Sequence, residues 1–146
     1  MRVALAEAGK AARYDEVPVG AVVVSPEGEI ISRAYNRPIA TCDPTAHAEI
    51  IALRKAARKI GNYRLSGCRL VATIEPCPMC TGAALHARVS EIIYGADDPK
   101  AGAVRTMYNL ATDHRFNHQA VVTPGILAEQ CAALLTEFFQ RRRQKT

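Results

Sequence analysis

Apolar residues recur with a helical period at the start of the chain. Val3, Leu5, Ala8, Ala11 and Ala12 supply one stripe of a helix over residues 1–14. The β-branched run 19–24 after Pro18 suits a buried strand, Ser25-Pro26-Glu27-Gly28 reads as a turn, and a second strand follows over 29–35. These two strands predict an antiparallel hairpin. Residues 36–45 contain two prolines and read as a loop. A helical pattern then runs over 46–60, with Thr45 as N-cap and Gly61-Asn62 as its stop. Strand patterns over 69–74, 90–94 and 120–123 alternate with a helix from Pro78 to about residue 88 and a long helix over 126–143. The long helix presents Leu127, Cys131, Leu134, Leu135 and Phe138 on one side. Residues 96–119 are punctuated by Gly, Asp and Asn, with a short helix expected over 104–110. Strands alternating with helices predict a parallel second half. The expected fold is α/β, a three-layer α-β-α arrangement of a five-stranded mixed sheet with helices on both faces. One domain over 1–146 is expected.

Composition narrows the class. Hydrophobic residues make up 49% of the 146 and charged residues 23%, a globular balance. No run approaches the ~20 apolar residues of a membrane span, and the start lacks a basic-then-apolar leader. A cytoplasmic protein without a membrane partner is expected. The five cysteines form an odd set, which argues against a disulfide framework and for a reducing compartment. Cys68 and Cys131 read as small buried hydrophobes. Cys42 reads as a structural loop thiol, though the one most open to oxidation.

The net charge of +5 is unevenly placed. Residues 54–69 carry six basic side chains and no acid, and the tail 141–146 carries Arg141, Arg142, Arg143 and Lys145. The rest of the chain is slightly acidic. Two basic blocks on an acidic body fit a polyanionic partner, and they fit equally a solvated helix face and a basic terminus.

Two segments carry the chemistry. His47-Ala48-Glu49 opens one predicted helix, and Pro76-Cys77-Pro78-Met79-Cys80 opens the next. Cys77 and Cys80, three apart across a helix start, direct both sulfurs to one side, where the helix N-terminus favours thiolates. One His and two Cys suit Zn²⁺ and leave its fourth position open, as catalytic sites do. Two thiolates cancel the ion's charge and weaken it as a Lewis acid, so a neighbouring base is needed; Glu49 stands in the same first turn as His47. A C-x-x-C alone fits a redox pair or half a structural zinc site equally well. Cys68, His86, His114 or His118 would each close such a site as a fourth ligand. The joint H-x-E and P-C-x-x-C pattern is the signature of zinc deaminases of nucleobases.

The chain resembles the bacterial tRNA-specific adenosine deaminases of the cytidine deaminase-like superfamily over nearly its whole length. The matching stretches include 17–21, 36–38, 43–49, 62–65, 75–80, 117–118 and the C-terminal helix ending Phe138-Phe139-Gln140-Arg141-Arg142-Arg143. The metal motifs alone are shared with guanine, cytosine and deoxycytidylate deaminases. The resemblance implies one zinc per subunit on His47, Cys77 and Cys80, with Glu49 moving protons as water attacks C6 of adenine and ammonia leaves. It implies a purine hydrogen bond from Asn36, a backbone contact from Ala48, and RNA contacts from Phe138, Phe139, Arg141, Arg142 and Arg143. It also implies a homodimer acting on the wobble adenosine of an arginine tRNA, held by its anticodon arm. Glu75 reads as a support for the cysteine ligands, and His86 and His118 as structural. Arg105-Thr106 stands where many relatives have Gly-Ser, which alters one RNA-facing loop. Within the same chemistry the alternative is a deaminase of a free base or nucleotide. From another class it is a non-catalytic RNA-binding module with structural zinc.

Overall fold

The computed structural model describes residues 1–145. Its five-stranded sheet has the order β2-β1-β3-β4-β5, built from β1 (Gly20–Val24), β2 (Ile30–Tyr35), β3 (Arg69–Ile74), β4 (Glu91–Ala96) and β5 (Val121–Thr123). β1 pairs antiparallel with both β2 and β3, whereas β3–β4 and β4–β5 are parallel. The sheet is therefore mixed, with the antiparallel hairpin at one edge. The helices are α1 (Arg2–Arg13), the single turn α2 (Pro38–Thr41), α3 (Ala48–Ile60), α4 (Pro78–His86) and α5 (Ala128–Gln144).

The pleat sends successive strand residues to opposite faces. Ala21, Val23, Leu70, Ala72, Ile92 and Tyr94 share one core with Ala52 and Leu53 of α3 and Ala84 and Leu85 of α4. Val22 and Val71 form a smaller cluster with Ala4 of α1 on the other face. Both faces are covered, which is why the central strands read as unbroken apolar runs. The expected α-β-α layering is the architecture found, and it matches solved structures of the cytidine deaminase-like fold.

Close packing of α1 depends on small residues. Ala4, Ala8 and Ala11 are fully buried, and a Cβ on Gly20 would lie 2.6 Å from the Ala8 nitrogen and closer still to the Ala4 carbonyl. The buried stripe is Ala4, Glu7, Ala8 and Ala11, with the predicted Val3 packed half-buried against the small cluster, whereas the predicted Leu5 and Ala12 are only half-buried. A glycine backbone in β1 draws the helix in along its alanines.

Several local expectations are corrected. The 36–45 segment contains α2, because the buried Glu16 carboxylate accepts the N–H groups of Ile39 (3.3 Å) and Ala40 (2.8 Å) at its start. Thr45 does not cap the following helix. Its N–H and hydroxyl are both donated to Asp43 Oδ1, and α3 begins after His47. β4 continues through Gly95 to Ala96. Residues 104–110 form turns and irregular chain in place of a helix, held by Tyr108 N–H to Gly102 O and Leu110 N–H to Ala103 O. Among the described residues no helix is long and apolar enough to cross a membrane.

Candidate active site

Two helix starts converge on one point. α3 begins directly after His47, and α4 begins directly after Cys77, which follows the end of β3. Their N-terminal dipoles both favour negative charge there. His47 Nδ1 lies 3.7 Å from Cys77 Sγ and 3.5 Å from Cys80 Sγ, and the three donor atoms all lie within 4.8 Å of one another. Tetrahedral zinc with bonds of roughly 2.0–2.3 Å would separate such donors by about 3.5 Å. The residues therefore fit that ion in both chemistry and spacing. Among the described residues no fourth His, Cys, Asp or Glu joins this group. His118 is turned instead to the Val89 carbonyl, with Nε2 at 2.7 Å, and all five cysteines are free thiols.

The electrostatics of the metal-free cluster follow from these contacts. The Cys77 thiol is pulled down to about 4, chiefly by the Cys80 S–H it accepts, with His47 adding to the effect against the cost of burial. Cys80 is pushed up by that same pairing with the Cys77 thiolate, by burial and by Glu49. His47 is raised by its contact with Cys77. Taking up a metal on both sulfurs therefore displaces the Cys80 proton.

Glu49 is buried beside these donors, and burial raises its carboxyl above the ordinary range. Its Oε2 is the one sealed side-chain oxygen or nitrogen without a hydrogen-bond partner among the described residues. Most buried polar atoms are paired, so an orphan carboxylate oxygen marks a position reserved for chemistry or a ligand. His47, Glu49 and Cys77 line a cavity of about 450 Å³.

Asn36, also on that cavity, accepts the Ala48 N–H on Oδ1 at 2.8 Å. That bond fixes the amide orientation and leaves the Asn36 NH₂ group as the donor with no partner among the described residues. Ala48 itself is fully buried and gives its N–H to Asn36, whose side chain lines the cavity. Phe138 and Phe139 diverge. Phe138 is 7% exposed and turned into a groove with α1, under the Arg142 guanidinium; Phe139 is 42% exposed and walls the cavity. Beyond Phe139 a second depression carries Arg142, Arg143 and Lys145. Arg141 pairs with Glu137 one turn back on the helix.

The other basic block is largely engaged with the protein. Arg54 lies 3.9 Å from Asp43, while Lys55 and Lys59 donate to the Arg33 and Ile31 carbonyls at 3.0 and 3.5 Å. β2 is an edge strand, so these lysines cover outward carbonyls that would otherwise invite another strand. Asp98 and Lys100, which sequence reasoning missed, also line the cavity. The signal was available: they follow the carboxyl end of β4, where open α/β sheets place ligands.

Residues 1–96 match the model of the cytidine and deoxycytidylate deaminase zinc-binding region. A tRNA-specific adenosine deaminase from Haemophilus influenzae is 48% identical over 99% of this chain and 84% of its own length. The chain belongs to the tRNA-specific adenosine deaminases of this zinc-binding family. A structure solved in work on A-to-I editing by tRNA deaminases at the wobble position superimposes with a TM-score of 0.89 at 41% identity, covering 92% of this chain and 97% of that one. A guanine deaminase from Nitrosomonas europaea superimposes with a TM-score of 0.81 at 27% identity, over 92% of this chain and 80% of that one. The fold is thus shared by enzymes acting on different substrates.

Proposed function

We propose that this protein is a zinc-dependent tRNA adenosine deaminase that converts adenosine and water to inosine and ammonia, with residues 1–146 acting as one deaminase domain. The observation that carries this reading is the orphan Glu49 Oε2, buried beside a three-donor metal cluster that no fourth side chain joins among the described residues. A structural zinc site has no use for a carboxylate in that position.

His47, Cys77 and Cys80 would hold the ion, which when bound makes water a nucleophile at neutral pH. Glu49 would take one proton from the attacking water and pass it to the purine ring nitrogen, and would then carry the second, from the hydroxyl added to the ring carbon, to the departing amine, so that inosine and ammonia account for both water protons. Its carboxylate is buried beside the donor cluster, where it is placed to accept and release a proton. The Asn36 amide donates to a purine acceptor, and Phe139 stacks on a base at the cavity rim. Arg141, Arg142 and Arg143 bind phosphates along α5 and hold the anticodon arm. Phe138 acts from beneath, by packing against Phe139 edge to face with ring centres 5.4 Å apart.

The wobble adenosine of an arginine tRNA is the proposed target, in line with the family resemblance. A homodimer in the cytoplasm is proposed with it; free thiols and the exposed apolar Met107, Tyr108 and Phe116 support that setting. The test is incubation of the zinc-loaded protein with arginine tRNA, free adenosine, guanine and cytidine, with ammonia and inosine as readouts. Inosine in the tRNA is expected. Turnover of a free base with the tRNA untouched overturns the proposal.

A further inference from the structure

The loop from Asp97 to Thr106 walls the cavity through Asp98, Lys100 and Ala101, yet it contains no helix or strand of its own. Its shape is held from below by one side chain. Glu75, 1% exposed, accepts Arg105 N–H and Thr106 N–H on Oε1, both at 2.8 Å. Its Oε2 accepts Asp98 N–H at 3.1 Å and the Thr106 hydroxyl. Both ends of the loop thus close on one carboxylate. Gly102 sits against it so tightly that a Cβ there would lie 2.5 Å from Asp98 O and also collide with the carboxylate. A second latch lies nearby, where the buried Tyr94 hydroxyl donates to Asp97 Oδ1 (3.0 Å) and accepts from Arg105 Nε (2.8 Å).

Glu75 is also tied to the metal side. Its N–H donates to Ala96 O at 2.8 Å, and Ala103 N–H donates to the carbonyl of Pro76, the residue before the Cys77 donor, at 2.9 Å. The loop is therefore indexed to the cluster by short bonds at both ends. The Arg105 guanidinium and the Thr106 hydroxyl complete the two latches.

We propose that Glu75 is a positioning residue: its carboxylate holds the 97–106 loop as a fixed wall of the cavity and thereby sets how well the target nucleotide is seated. The proposal rests on the deaminase reading for its substrate, but the loop anchoring stands on geometry alone. It is tested with the zinc-loaded full chain carrying Glu75→Gln, Gly102→Ala, Thr106→Val or Thr106→Ser. Glutamine replaces one acceptor oxygen by a donor and cannot satisfy all four donors.

Amide exchange at Asp98, Arg105 and Thr106 is expected to quicken about tenfold or more in Glu75→Gln and Gly102→Ala, with α3 unchanged. KM for tRNA is expected to rise about tenfold while kcat stays within about threefold, with zinc per chain unaltered. Thr106→Val shifts both in the same direction by less, and Thr106→Ser restores wild-type behaviour. Unchanged loop exchange, a fall in kcat at constant KM, or zinc lost in step with activity each overturns the proposal. If Glu75→Gln does not fold, Gly102→Ala and Thr106→Val decide it. Wild-type protein that leaves tRNA untouched refutes the substrate, and the exchange arm still decides the anchoring.

Discussion

Glu49→Gln separates chemistry from stability, because the two are expected to move in opposite directions. The substitution keeps the shape of the side chain and removes its charge and its capacity to take a proton. With zinc loaded, activity should fall by about 10²–10⁴-fold, the usual contribution of a positioned acid/base, while one zinc per chain is retained. In the metal-stripped protein the same change should stabilise. Wild type there buries a carboxyl whose Oε2 has no partner, and an unsatisfied buried group costs about 1–3 kcal/mol. Gln still buries an amide, so only part of this is relieved, about 1 kcal/mol; at this size that raises Tm by about 3 °C.

The pH dependence fixes the cause. Burial raises the Glu49 carboxyl above its ordinary value of 4.5, so between that value and the raised one the folded state binds more protons than the unfolded state. Stability of the wild type therefore declines as pH rises through that window and levels off above it. The stabilisation in Glu49→Gln should grow over the same window, measured by thermal unfolding of chelator-treated protein at a series of pH values. A variant less stable than wild type at every pH, or a difference that ignores pH, would refute the reasoning.

Three further outcomes follow from other parts of the molecule. Gly20→Ala drives a Cβ into the α1 backbone, so denaturant unfolding should show a loss of about 1–3 kcal/mol or more. Neutralising Arg141, Arg142 and Arg143 to Gln should flatten the log–log salt dependence of tRNA affinity by about one unit or more. Stripping the metal should abolish deamination and lower Tm, with both restored by zinc and neither by magnesium, since a ligand set with two thiolates rejects a hard ion; recovery with magnesium would contradict the assigned ligands.

The strands and the metal donors were legible because each rests on local chemistry. An apolar run such as 19–24 has few uses other than a buried strand, and H-x-E with P-C-x-x-C specifies donors at two helix starts. What escaped was set by residues distant in sequence. α2 forms because Glu16 reaches its N-terminus from more than twenty positions away, and no period within 36–45 signals that. Thr45 looked like a cap, but Asp43 competes for it over two residues, a choice made by loop geometry. Residues 104–110 became turns and irregular chain, because the Tyr108 and Leu110 N–H groups close onto the Gly102 and Ala103 carbonyls instead of onto carbonyls four residues back.

Side-chain roles were harder still. Phe138 and Phe139 are neighbours, but a helix rotates about 100° per residue, so one enters the groove beside α1 and the other faces the cavity. Lys55 and Lys59 read as part of a basic block, and only the strand order, with β2 at the edge, shows what they cover. The exposed cationic surface of α5 and the three-donor metal cluster answer different questions. One concerns which polyanion arrives; the other concerns which bond is broken.

The central claim is that water, activated at the His47–Cys77–Cys80 cluster and deprotonated by Glu49, replaces the amino group of an adenosine within tRNA. Reaction of the zinc-loaded protein with unmodified arginine tRNA in heavy-oxygen water, followed by nucleoside mass analysis, tests it most directly. The expected result is inosine at the wobble position carrying one heavy oxygen, with one ammonia released for each, and no product from Glu49→Gln. Inosine without the label, or tRNA left unchanged while free guanine or cytidine is consumed, would contradict the account.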